Sequence, residues 1–131
     1  MAIGGDEGFW AESGWTESEV KTVYGYAGKV LLVDLSKRKV KDVELSETLI
    51  EFFIGGLGGN VKLITDLSDR WIHPYSPDAC LVLGVGPLVG TVAPGAAKVS
   101  TVCKFPLTET YGFASGGVVF GIMMKAAGYD H

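Results

Sequence analysis

Apolar and polar residues follow one another with two different periods along the chain, and the changes of period mark where elements begin and end. Residues 29–36 contain a run of β-prone apolar side chains, which is typical of a strand. Residues 39–45 alternate between apolar and charged positions, which indicates a second strand. The segment 36–39 between them is entirely polar, so we predict a β-hairpin.

Capping residues and glycines mark two short helices after the hairpin. Ser46 is a favourable N-cap, and the apolar positions of residues 49–54 follow it until the glycine cluster 55–59 begins. Beyond that cluster, residues 60–67 carry apolar side chains at helical spacing. We therefore predict helices over 49–54 and 60–67.

The second half of the chain mixes the same kinds of element. We predict strands over 79–85 and 98–105, a loop rich in Gly and Pro over 86–97, a turn over 106–112 and a helix over 116–128. The predicted elements do not alternate regularly between strand and helix. This order favours an α+β fold with a mixed sheet over a doubly wound α/β fold.

The chain divides into two parts of unequal size. Residues 1–23 are acidic and contain a capping-box pattern at 16–19, which is typical of an extension ahead of a domain. Residues 24–131 form the predicted domain, and 131 residues suffice for a hydrophobic core without disulfides or metals.

Charge and hydropathy indicate which kinds of partner the chain can bind. The net charge is −4, from 11 basic and 15 acidic residues, which argues against nucleic-acid binding. No apolar run approaches the roughly 18–20 residues of a membrane span. The mean hydropathy of +0.29 is nevertheless high for a small domain. We therefore expect apolar surface that meets another domain, a partner chain or a second copy in a homo-oligomer.

Cysteine, histidine and glycine motifs exclude several kinds of site. Cys80 and Cys103 form no CxxC pair, so this chain by itself builds neither a zinc site nor a cysteine-ligated cluster. No secretion signal is visible, so we expect a reducing, cytoplasmic setting. The GxGxxxG spacing at 84–90 is one residue too long for a dinucleotide fingerprint. His73 precedes a proline in a loop, which favours a solvated side chain.

Three glycine-rich segments, 55–60, 86–98 and 114–117, remain as candidate binding loops. Two of them precede predicted helices, where exposed backbone N–H groups and the helix N-terminus both favour an anion. Such glycines can also serve turns and helix caps only. Three of these segments in so short a domain favour a large, flat ligand that carries phosphate.

Several ordered blocks of the chain resemble the tungsten-containing aldehyde ferredoxin oxidoreductases. They are the opening hairpin at 24–35 and the segments 53–58, 86–95, 104–108 and 115–130. Their order and spacing hold to the last residue. The benzoyl-CoA reductase branch of the same superfamily is also similar, around residues 55–60.

This resemblance implies the first half of an α+β base domain on which a tungsten (or molybdenum) bis-pterin cofactor lies, with magnesium bridging the phosphates. Lys98 stands where the family usually has an arginine that contacts pterin phosphate, and Ala114 or Ser115 stands where it has an asparagine near magnesium. We expect Ser115 to cap the last helix. No catalytic or metal-ligating residue is expected in this chain. The expected cofactor-binding residues are Gly56, Gly58, Gly59, Thr91, Gly95, Lys98, Ser115, Gly116 and Gly117.

The implied activity is oxidation of aldehydes to carboxylates, with electrons passed through an iron–sulfur cluster to a ferredoxin-type acceptor. The cluster ligands and the residues near the metal belong to later domains of the family. We therefore expect no turnover from this chain without the remainder of the enzyme or a partner chain. Two alternatives stay open: a benzoyl-CoA reductase-type subunit, or a non-catalytic binding or assembly module. Leu57 stands where the family often has an arginine, and the departures at Leu57, Lys98 and Ser115 favour the non-catalytic module.

Overall fold

Residues 24–131 are described by the structure, a computed structural model, and the expected extension at residues 1–23 lies outside them. In chain order the elements are strands β1 (Lys29–Asp34) and β2 (Lys39–Glu44), helices α1 (Glu47–Phe53) and α2 (Gly56–Leu67), strands β3 (Leu81–Val85), β4 (Val99–Lys104) and β5 (Tyr111–Gly116), and helix α3 (Val119–Ala126).

The described strands form two antiparallel sheets. The predicted hairpin is confirmed, with β1 and β2 paired from Lys29↔Glu44 to Asp34↔Lys39. The other sheet has the order β3-β4-β5. Helices and antiparallel strands together confirm the α+β class, although two antiparallel sheets replace the expected mixed one.

Strand β5 was not predicted, and its presence moves the start of the last helix. Gly112, Ala114 and Ser115 are small residues, so this segment lacks the apolar–polar alternation that is typical of a strand. Main-chain pairing with β4 nevertheless holds them in an extended conformation. The prediction that Ser115 caps the helix is wrong, because Ser115 pairs with Ser100 within the sheet. The N-cap of α3 is Val118, without a side-chain hydrogen bond.

Helix α2 begins four residues earlier than the sequence indicates and includes Gly56, Gly58 and Gly59 of the 55–59 cluster, with Gly55 as its N-cap. Glycine lowers helix propensity, but close packing overrides it here. A Cβ at Gly58 would lie 2.7 Å from the carbonyl oxygen of Phe53, and one at Gly59 would lie 2.5 Å from His131 Cε1. The glycines therefore let the first turn of α2 approach its neighbours closely.

A single larger core joins the hairpin, both early helices and the second sheet. It contains buried apolar residues from β1, the β2–α1 connection, α1, α2, β3 and β4: Val30, Leu45, Leu49, Leu63, Ile64, Val82 and Val102. Strands β3 and β4 bury Val82 and Val102 on the face that α2 covers, and both strands confirm the predictions over 79–85 and 98–105. A smaller cluster of Val85, Val89 and Val99 lies nearer α3.

The C-terminal residues join the two sheets. The N–H of Asp130 donates to the carbonyl of Lys29 at 2.8 Å, and the N–H of Leu31 donates to the carbonyl of His131 at 2.9 Å. On the other side, the N–H of Val85 donates to the carbonyl of Asp130 at 2.9 Å. These main-chain bonds connect the edge of β1 to the edge of β3.

Candidate functional site

An open groove of about 400 Å³ lies where the α1–α2 junction meets the loop 86–98. One part of its lining is apolar and comes from Ile54, Leu57, Pro87 and Leu88. The other part is polar, with Lys98 and Ser100. The groove therefore suits a ligand with an apolar body and an anionic group.

The N-terminus of α2 forms one wall of the groove. Gly56 and Leu57 line it, and the N-cap Gly55 offers no side-chain hydrogen bond to the first turn. The first N–H groups of an α-helix have no intrahelical acceptor, and they carry positive partial charge. This wall therefore presents main-chain donors where an anion would be stabilised.

Lys98 brings a full positive charge to the same groove. It is exposed and directly precedes β4, whose pairing with β3 and β5 fixes its backbone. The loop before it is held by its own main-chain bonds, from Gly90 N–H to the Ala96 carbonyl at 3.1 Å and from Thr91 N–H to the Leu88 carbonyl at 3.1 Å. The Lys98 side chain thus extends from a loop whose conformation is fixed by main-chain hydrogen bonds.

Two glycines leave open space on the groove lining. A Cβ at Gly86 or Gly95 would meet no heavy atom within 4 Å. Gly95 also has a φ of 75°, a conformation that glycine adopts without strain. A ligand can therefore lie directly against the backbone at both positions.

The groove gathers only part of the predicted site. Gly56, Gly95 and Lys98 line it together. Gly59 is buried against His131, and the Thr91 hydroxyl donates to the Leu88 carbonyl at 2.7 Å. Gly58 packs against α1, whereas Ser115, Gly116 and Gly117 lie on β5 and the connection to α3, exposed but outside the groove lining.

The predicted site residues leave out most of the groove lining, although all of it except Ser100 lies within the segments 53–58 and 86–98 that the sequence singles out. Ile54, Pro87 and Leu88 are ordinary apolar residues in sequence, and only the fold exposes them together. Ser100 is buried below the groove, where its hydroxyl donates to the Gly84 carbonyl at 3.3 Å. A hydroxyl at a core-facing position of a predicted strand is the signal that could have marked it.

A buried polar junction supports the groove from behind. Asn60 is fully buried and donates from Nδ2 to the Ser100 carbonyl at 2.8 Å. Its Oδ1 accepts from His131 Nδ1 at 2.8 Å. Burial lowers the pKa of His131 to about 4, with the Lys125 ammonium adding to the shift and the Asp130 carboxylate opposing it. His131 is therefore a neutral structural side chain at pH 7.

The Asp130 carboxylate completes the junction. It is buried, forms an ion pair with Lys125, and accepts the N–H of Gly28 at 2.7 Å. A buried carboxylate needs such partners, because an unpaired one would lose its hydration without compensation. The junction therefore fixes the start of β1 and the C-terminal residues in one place.

Within residues 24–131, no group of three or more His, Cys, Asp or Glu side chains is placed to hold a metal ion. Cys80 and Cys103 are free thiols, and burial raises the pKa of Cys80, with the Asp78 carboxylate adding to the shift. His73 is exposed, in agreement with the prediction of a solvated side chain. No helix in this part of the chain is long and apolar enough to cross a membrane.

The fold is that of a known class of oxidoreductase domain. Residues 30–131 match the family described as "Aldehyde ferredoxin oxidoreductase, N-terminal domain", and the chain belongs to this family. This confirms the resemblance identified from the sequence blocks.

Relatives in this family are much longer than the chain. Tungsten-containing aldehyde ferredoxin oxidoreductases of Pyrococcus furiosus and Pyrococcus horikoshii are 36% and 34% identical to it over 108 residues, which is 82% of this chain and 18% of each relative. The "Aliphatic sulfonate oxidoreductase, WOR-like subunit" of Pyrococcus furiosus is 42% identical over 114 residues. The chain therefore spans about a fifth of the length of these relatives.

A solved structure shares the fold. The "Active site complex BamBC of Benzoyl Coenzyme A reductase in complex with 1,5 Dienoyl-CoA" superimposes with a TM-score of 0.79 at 34% identity. The match covers 82% of this chain and 16% of that chain.

Proposed function

We propose that this chain supplies one phosphate-binding face for the tungsten bis-pterin cofactor of an aldehyde ferredoxin oxidoreductase-like enzyme. The observation that carries the proposal is the groove in which Lys98, the N-terminus of α2 and two open glycine backbones come together. Relatives named as tungsten-containing enzymes supply the identity of the ligand.

The residues present fit such a cofactor. Lys98 and the first-turn N–H groups of α2 would hold phosphate, because both carry positive charge or partial charge. Gly86 and Gly95 would let a flat ring system lie on the backbone, since no Cβ fills the space above them. The exposed end of β5, with Ser115 and Gly116, and the following Gly117 would make a second phosphate contact in this proposal, near a magnesium ion that would offset the phosphate charge.

The chemistry resides in the bound group and in parts of the enzyme beyond this chain. When bound, the tungsten–pterin group supplies two-electron oxidation, in which an aldehyde and water become a carboxylic acid, two protons and two electrons. This chain's residues bind and orient the group. The iron–sulfur relay and the ferredoxin-type acceptor belong to the remainder of the enzyme or to a partner chain.

A charge reversal tests the groove. The protein is purified from a host supplied with tungstate, and its tungsten and phosphorus contents are measured per chain. Lys98→Glu should weaken cofactor retention about tenfold or more, because it places a carboxylate beside phosphate. Lys41→Glu, at an exposed lysine of β2, is the matched control and should retain the cofactor.

The proposed phosphate contact at Ser115, Gly116 and Gly117 is tested in the same preparation. A Cβ at Gly117 would meet no protein atom within 4 Å, so Gly117→Ala should leave the thermal stability unchanged. Loss of tungsten and phosphorus would then assign this loop to the site. Full retention in both Lys98→Glu and Gly117→Ala would contradict the proposal and favour a non-catalytic assembly module.

A benzoyl-CoA reductase-type subunit is the second candidate, favoured by the structural match to BamBC. Both candidates predict the same cofactor, so metal analysis does not separate them. Assayed together with the remainder of the enzyme or its partner chain, the protein should reduce ferredoxin or a viologen dye with an aldehyde under the first candidate. Dye-linked conversion of a dienoyl-CoA thioester without aldehyde oxidation would favour the second.

A further inference from the structure

Ile54 adopts a backbone conformation that its side chain disfavours. It ends α1 with a φ of 60° and a ψ of −27°. The N–H of Gly55 donates across it to the carbonyl of Phe53 at 2.6 Å. A three-residue turn with positive φ at its centre is rare and strained, and a β-branched residue is the least suited to it.

Helix termination does not explain the choice of isoleucine. Glycine or asparagine is the usual residue where a helix ends in the left-handed region. Two glycines, Gly55 and Gly56, follow directly, so a glycine-rich turn is already present. An isoleucine at position 54 therefore makes this turn less stable than a glycine at the same position would.

The strained turn is held by a distant part of the chain. The Tyr26 hydroxyl donates to the Ile54 carbonyl at 2.7 Å, from 28 residues away in sequence. Such a tertiary bond is what allows an unfavourable backbone conformation to persist. The position of the Ile54 side chain is thus determined by the fold.

Core packing does not explain the side chain either. Ile54 is 65% exposed, and it lines the groove beside Leu57 and Leu88. An apolar side chain left in solvent at a strained position gains little from the protein itself. The groove that it lines gives an apolar ligand direct access to this side chain.

We propose that Ile54 is a ligand-contact residue whose side chain forms the apolar wall against which the flat part of the bound cofactor packs. Lys98 meets the phosphate from the polar part of the same groove. This inference rests on the proposed function and adds the residue that holds the apolar body of the ligand.

The experiment measures stability and cofactor content of the same preparations. Ile54→Gly removes both the strain and the apolar wall, so it should raise the Tm of the cofactor-free protein by about 2–6 °C. The same variant should retain cofactor about tenfold less well. Ile54→Leu should keep the cofactor, whereas Ile54→Asn, which tolerates positive φ, should lose it.

A matched control separates strain from binding. Arg38, in the β1–β2 turn, has a φ of 52° and lies outside the groove lining. Arg38→Gly should also raise the Tm of the cofactor-free protein, without a change in tungsten or phosphorus content.

The outcomes are distinguishable from those of the proposed function. Wild-type protein that binds cofactor, with Ile54→Gly and Ile54→Asn binding it equally, would overturn this inference and leave the proposed function intact. Wild-type protein without tungsten or phosphorus would overturn both. Higher stability with lower cofactor content in Ile54→Gly, lower cofactor content in Ile54→Asn, and unchanged cofactor content in Arg38→Gly would establish the apolar wall.

Discussion

At individual residues, the absence of a glycine side chain lets the buried polar side chains behind the groove pack against the backbone. Gly84, in β3, faces the Asn60 amide and the His131 imidazole so closely that a Cβ would overlap both. The two polar side chains occupy the space that a larger residue would fill, and their hydrogen bond depends on it. The glycine at 84 is therefore a packing residue of the buried junction.

Two glycines of one segment are expected to respond in opposite ways to alanine. Gly84→Ala should lower the free energy of unfolding by about 2–4 kcal/mol, because the added methyl displaces a buried hydrogen-bonded pair. Gly86→Ala should change it by less than about 1 kcal/mol, since a Cβ there meets nothing within 4 Å. Urea unfolding of both variants checks this, and equal losses would contradict it.

At the scale of the elements, the C-terminal residues connect the two sheets, which do not pair with each other directly. Asp130 bonds to both β1 and β3 through its main chain, and its side chain pairs with Lys125 of α3. His131 extends the same connection to α2 through Asn60. Asp130 and His131 therefore hold four elements together: β1, β3, α2 and α3.

This connection should make stability depend on pH. The pKa of His131 is about 4 in the fold and 6.5 as the ordinary value, so between those values the unfolded chain binds a proton that the folded chain does not. The contribution of neutral His131 to the free energy of unfolding is therefore complete above pH 6.5, and it is lost as the pH falls towards 4. It amounts to about 3 kcal/mol at most.

Chemical unfolding at pH 7 and pH 5 measures this dependence. Wild-type protein should lose stability over this interval, and His131→Gln, which does not titrate, should lose less. Parallel losses in the two proteins would show that other groups control the acid sensitivity.

At the scale of the whole molecule, α3 leaves much apolar surface uncovered. Val119 and Phe120 are 59% and 57% exposed, and Gly121 is the residue of α3 that is buried. Exposed apolar surface of this extent is typical of an interface. It agrees with a chain that spans about a fifth of the length of its relatives.

We expect the isolated chain to associate through α3. Phe120→Glu should shift it towards the monomer in sedimentation velocity at micromolar concentrations, because the carboxylate would have to be buried at the contact. Val40→Glu, at an exposed apolar residue of the hairpin, is the control and should leave association unchanged. A wild-type chain that sediments as a monomer would contradict the prediction.

The sequence by itself determined the local elements and the family. The hairpin, both early helices and strands β3 and β4 followed from periodicity, caps and glycine breaks, because these signals act between near neighbours in sequence. Blocks of sequence were enough to identify the family, and the loop before Lys98 was recognised as a candidate anion site. The bounds of β5 and α3 were not predictable, because Ala114 and Ser115 become a strand only through pairing with β4.

Only the tertiary structure decided which candidates meet. Gly56, Gly95 and Lys98 share a groove because α2 packs on β3 and β4, and no spacing along the chain encodes that approach. The same packing turned Gly59 into a contact of His131, and it exposed Ile54 on the groove wall. Long-range contacts and main-chain pairing between distant strands settle such questions, because their energies depend on residues that the local sequence does not contain.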